Sequence, residues 1–105
     1  MTEPLARLPL ATLTERSPIR IPHAPYDIAV VRLGDEVFAL EDACNHSSAS
    51  LSEGFVDGEC LVCPAHGFAF SLRSGALIRP LGRCDDQRRY PVRIVGGEVL
   101  IDPLE

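Results

Sequence analysis

The chain has 105 residues, 46% of them hydrophobic, and a formal net charge of −5. That length suits one domain around one modest core, so residues 1–105 are read as a single domain. The acidic balance argues against nucleic acid and anionic membranes as partners and is compatible with docking onto basic protein patches. No apolar run approaches the roughly 18–20 residues of a membrane span. The start, Met1-Thr2-Glu3-Pro4, lacks the basic and apolar regions of a secretory signal, so a cytoplasmic protein is expected.

Taken in order, the residues predict short strands with turns between them. Ala6 to Leu10 reads as an opening strand, followed by a connection with a helical turn at Leu13 to Arg16. Pro18 to Ile21 alternates apolar residues, and His23-Ala24-Pro25 reads as a surface turn, because the residue before a proline is pushed to extended or turn conformations. His23 has no cysteine near it and is read as a turn residue, not a metal ligand. Tyr26 to Leu33 and Glu36 to Leu40 are β-rich runs around Gly34-Asp35, a hairpin signal. Leu51 to Gly54 is read as rejoining the sheet. A second hairpin is predicted with its turn at Asp57-Gly58 and a return strand from Glu59 to Val62. Phe68 to Leu72, Ala76 to Ile78, Arg89 to Val95 and Glu98 to Ile101 complete the strands, with Gly96-Gly97 turning the last hairpin. Many short strands at this spacing predict an all-β antiparallel sandwich or barrel.

The chemistry lies between Cys44 and Gly67, C-N-H-S-S-A-S-L-S-E-G-F-V-D-G-E-C-L-V-C-P-A-H-G. Cys44 pairs with His46, and Cys63 with His66; the 16 residues between His46 and Cys63 allow one excursion of chain between two loops that meet again. Thiolate suits zinc and iron–sulfur clusters, and imidazole suits zinc, iron and copper, so a metal site is the leading reading. A zinc-stabilised interaction module is one candidate, although zinc fingers usually place both cysteines before both histidines. Pro64 stiffens the second loop, and Gly67 permits a positive φ or a close backbone approach there. Cys60 and Cys84 are expected to be free thiols in a reducing compartment.

The pattern C-x-H…C-x-x-H-G, in the order Cys44, His46, Cys63, His66, resembles the Rieske family of 2Fe–2S proteins. The resemblance covers most of the chain. It implies a Rieske-like antiparallel β fold with two hairpin loops forming a cluster-binding tip. It also implies one 2Fe–2S cluster, with Cys44 and Cys63 on the inner iron and His46 and His66 on the outer one. A proline-containing loop covers the cluster from a third side in that family, which makes Pro80 and Leu81 candidates for that cover. High-potential members carry an extra cysteine in each loop and hydroxyl donors to the sulfurs. Here Ala49 and Ala65 stand at the cysteine places, and Phe68 follows Gly67 where a serine is expected. Fewer donors to sulfur imply a potential near the low end of the Rieske range, roughly −150 mV. Ser47-Ser48 depart from the glycine often found near there in the family.

The resemblance points to the soluble Rieske ferredoxins of bacterial aromatic-ring dioxygenases, which carry electrons from a flavin-dependent reductase to a terminal oxygenase. The small subunit of an assimilatory nitrite reductase is the alternative. The expected role is electron transfer, not catalysis. Four protein ligands close the cluster to substrate, His23 alone cannot build a mononuclear iron site, and no G-x-G-x-x-G offers a nucleotide a seat. A monomer is expected when the protein is free of its partners.

Overall fold

The computed structural model describes residues 3–44, 49–82 and 84–104. Strands β1 (Ala6–Pro9), β10 (Val92–Val95) and β11 (Glu98–Ile101) form one antiparallel sheet in the order β1-β11-β10. Strands β2 (Ile19–Ile21), β3 (Ile28–Leu33), β4 (Glu36–Glu41) and β9 (Arg89–Tyr90) form a second in that order. Strands β5 (Phe55–Asp57), β6 (Cys60–Val62), β7 (Ala69–Ser71) and β8 (Leu77–Arg79) form the third. Short 3-10 turns at Leu10–Thr12 and Leu51–Glu53 are the helical elements among the described residues. No helix there is long and apolar enough to cross a membrane. The all-β antiparallel expectation is met.

The middle sheet carries a core on each face, which explains its sequence. A strand buried on both faces reads as a continuous apolar run, because successive side chains point to opposite sides. Ile28, Ala29, Val30 and Val31 in β3 are each at most 1% exposed. Ala29 and Val31, with their cross-strand partners Leu40 and Phe38, join Leu61, Phe70, Leu72 and Leu77 in a core against the third sheet. Ile28 and Val30 point the other way and join Val37, Ala39, Tyr90, Val99 and Ile101 against the first. Cys44 and Cys63 belong to the core shared with the third sheet. Phe70 is wholly buried there, and truncating such a residue to Ala costs about 3–5 kcal/mol.

Several expectations are corrected. The helical turn lies at Leu10–Thr12, before Leu13, because Leu13 is needed as core and is 3% exposed. The second hairpin turns at Gly58 and Glu59, one residue later than expected, with Asp57 paired to Cys60. A turn whose first central residue needs positive φ selects glycine there, and Gly58 has φ 61°. Gly34 plays the same part, with φ 60°, between the paired Leu33 and Glu36. Leu51–Glu53 forms a 3-10 turn capped by Gly54, and the chain rejoins the sheet only at Phe55. The expected strand from Arg89 to Val95 is broken at Pro91: β9 pairs with β4, and β10 pairs with β11 in another sheet. Proline has no N–H to continue a ladder, so the chain changes sheets there. The strand expected from Phe68 begins at Ala69. His23 is half-buried, and its backbone N–H donates to Asp27 Oδ1 at 3.0 Å.

Candidate metal centre

Two loops with the same closure carry the cysteines. Leaving β4, Asp42 donates its N–H to Asp27 O and accepts from Leu51 N–H, both at 2.8 Å. Its carboxylate Oδ1 accepts from Ser52 N–H at 2.8 Å. Ala43 then bridges Ser50, and Cys44 N–H donates to Ala49 O at 2.8 Å. The stem of the first loop is therefore tied on both strands. At the second loop, Cys63 N–H donates to Phe68 O at 2.8 Å. In both loops the cysteine amide reaches the carbonyl of the residue five positions on. Gly67 N–H donates back to Cys63 O at 3.1 Å, and Gly67 takes φ 72°, a left-handed conformation in which a Cβ would be strained.

The structure thus places Cys44, Cys63 and His66 as follows. Cys44 and Cys63 are 2% and 1% exposed, within one core. His66 is exposed on the second loop, three residues from Cys63. His46 lies outside the described residues, within 45–48. Among the described residues no three His, Cys, Asp or Glu side chains gather to hold a metal ion.

A third segment adjoins the loops. Leu81 is 77% exposed at its tip, and Gly82 turns it with φ 75°. Cys84 packs against the core that holds Cys63. Burial pushes the Cys84 thiol up, and Asp85, Asp86 and Cys63 add to the effect. The Cys60 thiol is also pushed up by burial, against the pull of Arg79. Cys60 and Cys84 form no disulfide, and both stay protonated at neutral pH, which makes them poor nucleophiles.

Residues the sequence did not single out complete the support. Gln87, 3% exposed, donates from Nε2 to the carbonyls of Glu41 at 2.7 Å and Ala43 at 2.9 Å. A Cβ on Gly54 would run into the Val62 carbonyl beside Cys63, and one on Gly75 into the Gln87 carbonyl. Asp86 Oδ1 accepts from Leu77 N–H at 2.8 Å and fastens the third segment to β8.

Comparison with known proteins decides what this arrangement is. Residues 5–91 match the family model described as the Rieske [2Fe-2S] domain. The chain belongs to that family. The Rieske cofactor is a single 2Fe–2S cluster, and the donor chemistry here fits it: thiols buried in a core and an imidazole at the surface of the same loop. The Rieske chain is 45% identical over 76 residues to the anthranilate 1,2-dioxygenase ferredoxin subunit of Burkholderia cepacia, covering 71% of this chain and 68% of that one. Its fold matches the ferredoxin of carbazole 1,9a-dioxygenase from Nocardioides aromaticivorans IC177 with a TM-score of 0.89 and 30% identity, over 98% and 100% of the two chains. It also matches, with a TM-score of 0.82 and 29% identity over 96% and 99% of the chains, a structure described as a complex of reduced oxygenase and oxidized ferredoxin in carbazole 1,9a-dioxygenase.

Proposed function

We propose that this Rieske chain is the ferredoxin component of a ring-hydroxylating oxygenase system, with residues 1–105 acting as one domain. It takes single electrons from a flavin-dependent reductase and delivers them to a terminal oxygenase. The observation that carries this reading is the difference in depth along one loop, with Cys63 1% exposed and His66 in solvent three residues later. Cys44 and Cys63 would hold the inner iron, and His46 and His66 the outer one. When bound, the cluster supplies a reversible one-electron couple.

The chain's own part is to seal the thiolate end and present the imidazole end. Cys44 and Cys63 sit among Leu51, Leu61, Phe68 and Phe70, which keep water from the sulfurs. With every ligand position taken by protein, no site is left for a small substrate, and the protein serves as a carrier, not a catalyst. We place it in the cytoplasm, as a monomer when free. No observation favours the nitrite reductase small subunit over this reading.

Iron and acid-labile sulfide analysis, with EPR after dithionite reduction, tests the ligation. Equal iron and sulfide and a low-g rhombic signal are expected, both lost in Cys63→Ser and His66→Ala. A colourless, zinc-containing protein would sink the ligand assignment. Reoxidation of the reduced protein by candidate terminal oxygenases, followed in a stopped-flow instrument, tests the carrier role.

A further inference from the structure

We infer that Gln87 is a positioning residue for the cluster: its side-chain amide pins the peptide that delivers Cys44. The inference rests on the proposed ligation by Cys44. In an antiparallel ladder the backbone groups of alternate residues face the same neighbour. Glu41 N–H donates to Arg88 O at 2.8 Å, the last backbone bond from the end of β4 toward the β9 segment. At Gln87 the main chain turns away, and its N–H goes to Gly75 O at 2.8 Å instead. The next acceptors along that edge are the carbonyls of Glu41 and Ala43, and the Gln87 side chain supplies both donors. It therefore continues the ladder where the backbone has left it.

The Ala43–Cys44 peptide is held from both ends. Its carbonyl accepts from Gln87 Nε2 at 2.9 Å, and its N–H donates to Ala49 O at 2.8 Å. A planar peptide fixed at its oxygen and its nitrogen has little freedom to rotate, so the direction in which Cys44 leaves the backbone is set. Two carbonyl partners demand an NH₂ group, which fixes the orientation of the amide as well. Gly75 keeps this seat open, since a Cβ there would strike the Gln87 carbonyl.

The test uses the cluster-loaded full chain, with Gln87→Leu, Gln87→Glu and Gln87→Asn compared with wild type. Gln87→Glu keeps the shape and removes the donors at neutral pH. Gln87→Asn keeps the donors but shortens their reach by one methylene. The readouts are the EPR g-values and linewidths after reduction, and the rate of loss of visible absorbance under a chelator. Expected for Gln87→Leu and Gln87→Glu are a shifted or broadened signal and several-fold faster cluster loss, with the far-UV spectrum retained. A folded variant that takes up no cluster also supports the inference. If Gln87→Leu does not fold, Gln87→Asn gives the answer by the same readouts. Wild-type EPR and wild-type cluster lifetime in the folded variants, even with a lower Tm, would overturn the inference. Absence of any cluster signal in the wild type would instead overturn the ligation reading.

Discussion

Arg73 faces Glu36 across the seam between the middle sheet and the third sheet, its Nη1 and Nη2 donating to the two carboxylate oxygens at 3.0 and 2.9 Å. The same guanidinium donates to both oxygens of Glu59 at 3.0 and 2.9 Å and lies 5.2 Å over the Phe38 ring. One side chain thus ties the start of β4, the β5–β6 turn and the residues after β7. Its hydrogen bonds are the main cause holding the Glu36 and Glu59 carboxyls below their ordinary range.

A carboxylate whose folded pKa is depressed contributes stability above its unfolded value, about 4.3 for Glu, and loses it as pH falls through the lower folded value. Arg73→Leu is therefore expected to flatten the acid limb of the stability curve below that range. At neutral pH the loss is small and shrinks with added salt, because all three side chains are about half exposed. Urea midpoints measured from pH 7 to pH 3 at two salt concentrations check this. Parallel wild-type and variant curves in acid would contradict it.

Two glycines separate steric from conformational demand. At Gly54 φ is negative, at −84°, and the Val62 carbonyl occupies the space of a Cβ. At Gly58 nothing lies within 4 Å of that position, and only the positive φ resists substitution. Gly54→Ala is expected to cost about 1–3 kcal/mol and also to speed cluster loss, since Val62 adjoins Cys63. Gly58→Ala is expected to cost about 1–2 kcal/mol with cluster lifetime unchanged. Denaturant titration and chelator bleaching of both variants provide the comparison.

Glu41, 7% exposed, is pushed up by burial, and the nearby Arg88 only partly offsets this. It borders a cavity of about 330 Å³ lined also by Tyr26, Asp85, Asp86 and Arg88. A carboxyl with a raised folded pKa favours the folded state when protonated, and that advantage disappears as pH rises through the folded value. Glu41→Gln is expected to stabilise the protein modestly at pH 7 and to leave it unchanged near pH 3. Equal or lower stability of the variant at pH 7 would contradict the dominance of burial.

The midpoint potential is expected near the low end of the Rieske range, roughly −150 mV, because Phe68 follows Gly67 where the pattern of high-potential members has a serine donor to the sulfurs. Phe68, 6% exposed, supplies an apolar wall where a hydroxyl would raise the value. Protein-film voltammetry at neutral pH measures it directly, and a midpoint well above zero would refute the argument.

What could be read from the residues is what local spacing encodes. The run Ile28 to Val31, the Gly34 and Gly96-Gly97 turns and the two Cys/His pairs announce themselves within a few positions. The residues alone put the turn one position early, at Asp57-Gly58, because Asp-Gly and Gly-Glu both fit a hairpin, and only the pairing of Asp57 with Cys60 decides. The break at Pro91 has no signal in the flanking residues, which favour strand equally on both sides. Gln87 had no local signature, since its partners Glu41 and Ala43 lie 46 and 44 positions away. Gly54 was equally silent, because its neighbour Val62 meets it only through the fold.

The sealed cysteine and the solvent-facing histidine on one short loop carry a consequence for traffic. Under the proposed ligation and carrier role the molecule would have one doorway, and a reductase seated at it would shut out an oxygenase. The two must visit in turn, so throughput depends on how quickly each lets go. A surplus of either visitor then throttles the other's access instead of hastening turnover.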